Sequence, residues 1–133
     1  MSNSQEVQAN QLPIIWGALT FSHLVYLVMA SLVVKEVNPE VEMLGTLLMG
    51  IGMMNIAMAL FVMPKLLSDR SKDGINNLCI IQWAIIESGA ILGFVSYFLT
   101  GLKMPLYVLV ALSVSAMMLV FPSKKRLDEL AKQ

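Results

Sequence analysis

The sequence predicts an all-α fold, a four-helix transmembrane bundle. Three observations carry that expectation. Of its 133 residues, 57% are hydrophobic and only 14% are charged, against about 25% charged in soluble domains. The apolar residues gather into four runs, 12–34, 43–63, 78–99 and 104–121, and the charge falls almost wholly between them. No run alternates with period two, so a β-barrel is not expected. A chain of this length holds one membrane domain, residues 1–133.

The first run follows a polar stretch, Met1–Gln11, with no Lys or Arg and one acid, Glu6. A secretory leader needs a basic start and a shorter apolar region, so this span is expected to stay in the mature protein. A helix rises about 1.5 Å per residue and roughly twenty residues cross the hydrocarbon core, a length the first three runs reach. The fourth run has eighteen residues, with Pro105 near its start, a position a first helical turn tolerates. Cys79 is the sole cysteine and reads as a small packing residue, without a disulfide or a thiol ligand pair.

Basic residues set orientation. Lys65, Arg70 and Lys72 lie between the second and third runs, and Lys124, Lys125, Arg126 and Lys132 follow the fourth, whereas the other two loops hold only Lys35 and Lys103. Both termini and the middle loop are therefore expected in the cytoplasm, with the protein in a bacterial inner membrane. Net charge is zero, and the cations sit where topology places them, so nucleic acid is not an expected partner. The expected partners are the lipid bilayer, further copies of the chain or other membrane subunits, and a proton or sodium ion. No cofactor or metal is expected, and no nucleophile motif or metal-ligand spacing marks an enzyme.

Glu87 is the one acid inside an apolar run. A carboxylate at bilayer depth costs about 2.5–3.5 kcal/mol on insertion scales, so it rarely sits there without a role. Counting from the cytoplasmic end of each run places other polar residues at its level. His23 is ten residues beyond Pro13, Glu87 ten beyond Asn77, Asn55 nine from Pro64 and Ser113 nine from Pro122. Each depth is roughly 14–15 Å. Lipid offers these groups no hydrogen bond, so they should face other helices or water. Small residues mark close-packing faces: Gly45, Gly52, Asn55 and Ala59 on the second span, and the Gly89/Gly93 pair on the third. Trp16, Thr20, His23 and Tyr26 line one side of the first. An environment of lipid or protein favours a neutral Glu87, and a nearby His23 would favour the charged form. Ion or proton handling, a neutral structural carboxyl, a buried pair with His23 and a partner contact all remain open.

The stretch Gln82–Val95, QWAIIESGAILGFV, resembles the carboxylate helix of the proteolipid (c or K) subunits of rotary ATPases. The matching positions are Ala84, Glu87, Ser88, Ala90, Ile91 and Gly93. The resemblance implies that Glu87 is the ion-binding carboxylate and Ser88 a neighbouring small polar position. It also implies that 65–73 is the polar cytoplasmic loop of a hairpin made by the second and third spans, with Gly45, Gly50 and Gly52 on its inner helix. The first and fourth spans have no counterpart there, and Met49, Met53, Met54 and Met58 stand where that family is Gly-rich. As a whole the chain resembles small four-span membrane proteins of bacteria. Two other membrane classes have residue signatures of their own. Small four-helix multidrug transporters carry their Glu on the first helix. A copper site would use Met49/Met53 and Met54/Met58, spaced i, i+4, although Met is also an ordinary filler of helix contacts. The expected function is proton or sodium handling by Glu87 in a proteolipid-like oligomer. The alternative is a non-catalytic structural or accessory subunit of a membrane complex.

Overall fold

The computed structural model describes residues 3–66 and 68–132, with side chains from Gln11 onward. Its described residues are mostly helical, with no strand. The helices are α1 (Asn3–Leu32), α2 (Glu42–Ala57), α3 (Lys72–Thr100), α4 (Lys103–Leu119) and α5 (Lys124–Lys132). A π-helical turn, Met58–Val62, and a 3-10 turn, Met63–Leu66, prolong α2. Three stretches are long and apolar enough to cross a membrane: Gln11–Leu32, Pro39–Leu66 and Lys72–Thr100. A fourth qualifies when α4 and α5, bent 76° from each other, are taken as one broken span.

The helix bounds differ from the apolar runs for local reasons. α3 starts six residues before Leu78 because Ser71 caps it, its hydroxyl accepting the Gly74 N–H at 3.2 Å, with Asp73 in the first turn. α1 runs through Pro13 and ends at Leu32, not Val34. The freed Val33 carbonyl accepts the Tyr97 hydroxyl at 2.5 Å. α4 stops at Leu119, three residues before Pro122, and the chain turns into α5, a short helix that hydropathy alone does not reveal.

α3 is the hub of the bundle. Half of its apolar window is buried, against 11% for α1. Gly52 and Gly89 bring α2 and α3 together: a Cβ on Gly89 would lie 2.9 Å from the Ile56 side chain and 3.2 Å from the Gly52 carbonyl. Gly93 faces α4 instead, against Leu109, Leu106 and the Pro105 carbonyl. The Gly89/Gly93 pair thus serves two different helices. At the far end of α3, Gly101 takes φ 75° and returns its N–H to Tyr97 O at 2.8 Å. A Cβ there would overlap the Glu36 carbonyl of the α1–α2 loop, so only glycine fits this left-handed cap beneath the loop.

Where helices end or widen, side chains take up the carbonyls that lose their helical partners. Val120 O accepts Trp83 Nε1 at 3.2 Å and Arg126 Nη1 at 2.5 Å. In the π turn, Ala59 O accepts Gln82 Nε2 at 2.6 Å, and Gln82 Oε1 accepts Arg126 Nη2 at 2.5 Å. Each such carbonyl buried without a donor would cost about 1–3 kcal/mol. α5 therefore docks through the Arg126 guanidinium and through Leu130, whose carbonyl accepts Arg70 Nη1 at 3.0 Å.

Candidate functional site

Glu87 is 6% exposed and His23 1%. They meet on the seam between α1 and α3, where His23 Nδ1 is 3.3 Å from Glu87 Oε2. The other carboxylate oxygen, Oε1, accepts the Tyr26 hydroxyl at 2.7 Å and a close hydrogen bond from Ser22 Oγ. All three partners come from one turn of α1. His23 Nδ1 also lies 2.8 Å from the Leu19 carbonyl, so it carries a hydrogen. Ser22 Oγ lies 2.5 Å from the same carbonyl. Among the described residues, His23 Nε2 and Glu87 Oε2 have no hydrogen-bond partner.

The site separates two apolar clusters. On the side of the α2–α3 loop lie Leu12, Ile15, Leu19 and Trp83. On the other side lie Ala30, Ala90, Tyr97 and the aromatic rings of Tyr26, Phe94 and Phe98. Tyr26 stands 5.4 Å from Phe94 between ring centres, and Phe94 4.8 Å from Phe98. A charge here is shielded from both helix ends, which strengthens every polar contact it makes.

The four polar residues grouped by depth do not form one cluster. Only His23 joins Glu87. Asn55 Nδ2 donates to Ser88 Oγ at 3.1 Å, and Ser88 in turn donates to Ile85 O at 2.6 Å. Ser113 Oγ donates to Ile86 O at 3.1 Å. Three consecutive residues of α3 thus engage three helices: Ile86 meets α4, Glu87 meets α1 and Ser88 meets α2. Neighbouring side chains on a helix point about 100° apart, so Ser88 is turned away from the carboxyl beside it in sequence. Gly45, Gly52 and Gly89 are buried between α2 and α3, as their spacing suggested.

Sequence reasoning missed Ser22 and placed Tyr26 only on a shared stripe. Adjacent positions on a helix do not face each other, yet Ser22 and His23 both reach Glu87 because the carboxyl lies between them and offers an oxygen to each. The i, i+4 spacing of Ser22 and Tyr26 was the available signal. Gln82 and Arg126 were also missed, although an amide inside an apolar run carries the same demand for a partner as Glu87 does.

No family model, curated protein or solved structure matches this chain. Its chemistry rests on the seam itself. Four side chains from a single copy form a compact acid–imidazole–phenol–hydroxyl network. Among the described residues no group of three or more His, Cys, Asp or Glu could hold a metal ion.

Proposed function

We propose that this chain is a small integral membrane protein in which Glu87 binds and releases a proton. The observation that carries the reading is the double reach of Ser22. Its hydroxyl stands within hydrogen-bonding distance of both Glu87 Oε1 and Leu19 O, and it has one hydrogen to give. When Glu87 is a carboxylate, Ser22 and Tyr26 both donate to it. When Glu87 is protonated, its O–H donates to Ser22 Oγ, and Ser22 turns its own hydrogen to Leu19 O. The heavy atoms need not move, so the site accommodates either state at little reorganisation cost.

A proton suits these contacts better than sodium. Oε1 is already in direct contact with two hydroxyls, and Oε2 faces a ring nitrogen in place of further oxygens. The resemblance of Gln82–Val95 to a proteolipid carboxylate helix agrees with a proton-binding role for Glu87. The partners of Glu87 come from its own α1, so the site asks for no ring of copies. The charge bias, with seven of nine basic residues on the side of the termini and middle loop, supports a bacterial inner-membrane orientation with that side cytoplasmic.

A second reading has its own observation. Among the described residues, both hydrogen-bond donors to Glu87 lie on α1, the least buried of the three long apolar stretches, as expected of a polar clamp in a non-catalytic accessory subunit. A hydrophobic carbodiimide, which attacks protonated carboxyls, separates the two. Proton binding predicts labelling of Glu87 that fades as pH rises and vanishes in Glu87→Gln, with the fold intact. A carboxyl that stays unlabelled at every pH in the folded protein would leave the clamp alone.

A further inference from the structure

The seam that holds Glu87 opens into a cavity at each end. At the end of the α2–α3 loop, about 360 Å³ is lined by Gln11 and Ile15 of α1 and by Asp73, Asn76, Asn77 and Ile80 of α3. At the opposite end, about 200 Å³ is lined by Ala30 and Ser31 of α1, Val33 and Lys35 after it, Tyr97 of α3, and Lys103 and Tyr107 of α4. A water needs about 30 Å³ and two or more polar partners, so both cavities are roomy and polar enough to be wet. Glu87 lies between them on the same pair of helices. From Ile80 to Glu87 is seven residues, a rise of about 10 Å, and from Tyr26 to Ala30 is four, about 6 Å. Leu19 and Trp83 of one apolar cluster lie along the first gap, and the tilted rings of Tyr26, Phe94 and Phe98 lie along the second.

We propose that the α1–α3 seam is a proton pathway across the bundle, with an aqueous vestibule at each end and Glu87 as the stop between them. This rests on the proton-binding reading of Glu87 and extends it to transfer from one side to the other. The chemistry balances without a co-reactant. Water in one vestibule gives a proton to the carboxylate, forming an O–H bond. The same bond breaks when the proton leaves to water in the other vestibule.

α1 is the element that can open either gap. Little of it is buried, and side-chain bonds tie it to the rest of the bundle: Trp16 Nε1 to Met117 O at 2.8 Å, Ser22 and Tyr26 to Glu87, and Tyr97 to Val33 O. A small tilt of α1 would shift Leu19 relative to Trp83 or part Tyr26 from Phe94, while the glycine contacts among α2, α3 and α4 stay in place. His23 and Tyr26 are the titratable groups that face Glu87. The facing stretches of α2 (43–57) and α4 (109–119) contain none. Asp73 lies at one mouth, and Lys35 and Lys103 at the other.

The test uses the full chain, uniformly oriented in liposomes under a pH gradient and a clamped potential, in a Cys79→Ala background. Proton flux should exceed that of Glu87→Gln by about tenfold or more, a barrier difference of about 1.4 kcal/mol. Asn76→Cys and Ser31→Cys place a thiol at either mouth. A membrane-impermeant thiol reagent should block flux through each only from that thiol's own side. Flux no greater than in Glu87→Gln, with carbodiimide labelling of Glu87 retained, would overturn the pathway and leave proton binding standing. Loss of that labelling as well would remove both. Flux that survives modification at either mouth would also overturn the route, because protons would then be crossing elsewhere.

Discussion

The Tyr26 hydroxyl offers a direct reading of the charge on Glu87. Tyr26→Phe removes one oxygen and leaves the ring stacked on Phe94, so the apolar contact of α1 survives. Hydrogen bonds between membrane helices average about 0.6 kcal/mol and reach about 1.7 in double-mutant cycles. Bonds to ionised groups lie at the upper end, about 1.5–3 kcal/mol. In Glu87→Gln the acceptor oxygen remains but cannot ionise, so Tyr26→Phe should there cost the neutral figure of about 0.6 kcal/mol at every pH. In the native background it should cost about 1.7 kcal/mol where Glu87 is ionised. The difference, about 1 kcal/mol, is the charge-dependent coupling. It should be present at alkaline pH and disappear as falling pH protonates the carboxyl. Reversible unfolding of the four variants in mixed detergent micles across pH measures it. A coupling below about 0.3 kcal/mol at all pH values, within the usual error of additivity, would mean that the phenol does not sense the proton on Glu87.

Three further outcomes test the frame around the site. Gly89→Val should destabilise the bundle by about 1–3 kcal/mol through overpacking against Ile56, whereas Gly17→Ala, with nothing within 4 Å of the added carbon, should be neutral or slightly stabilising in the same unfolding assay. Gly101→Ala should cost about 1–2 kcal/mol for the left-handed backbone alone, and more as the Glu36 carbonyl is displaced, seen as faster proteolysis of the α1–α2 loop. Asp69 accepts the Ser71 N–H at 2.9 Å, and this backbone bond holds its carboxyl below the ordinary value of 3.8. Its support for the start of α3 should therefore be complete above that value and be lost as pH falls through the lower, folded one. Amide exchange at Ser71 and Gly74 should show that loss in the native chain and none in Asp69→Asn.

Much of the fold was legible because hydropathy is a one-dimensional signal, and the four runs mark helices wherever it dominates. Capping is a different signal, which is why the start of α3 at Lys72 escaped a reading built on apolar runs. The turn after Leu119 escaped for a related reason. α5 is mostly charged, and its packing of Leu127 and Leu130 is accompanied by Arg126 reaching Val120 O at the end of α4 and Gln82 on α3, the second a contact no local pattern shows. The site was legible in part. Glu87 and His23 stand out as costly residues in apolar runs, but counting residues along each helix gives depth and not direction. Asn55 and Ser113 are drawn to Glu87 by depth alone and Ser88 by the resemblance of its helix, and the rotation of α3 sends all three to other neighbours.

That rotation leaves Glu87 as the residue of α3 that holds α1, and on the proposed reading the same carboxyl carries a proton. Between helices in lipid, apolar contact gives little preference over lipid itself. α2, α3 and α4 overcome this through close approach at Gly45, Gly52, Gly89 and Gly93. α1 has no such glycine contact: its Gly17 meets nothing within 4 Å. Its place against α3 is set by hydrogen bonds, two of them to Glu87 Oε1, from Ser22 and Tyr26. Those bonds strengthen when Glu87 is ionised and weaken when it is neutral. On the proposed reading, uptake of a proton therefore loosens the helix that closes both gaps, and its release tightens it again. A structural clamp would trade that stronger bonding against the desolvation cost of a charge, whereas an amide at the same position would hold α1 with weaker bonds of the same strength at every pH.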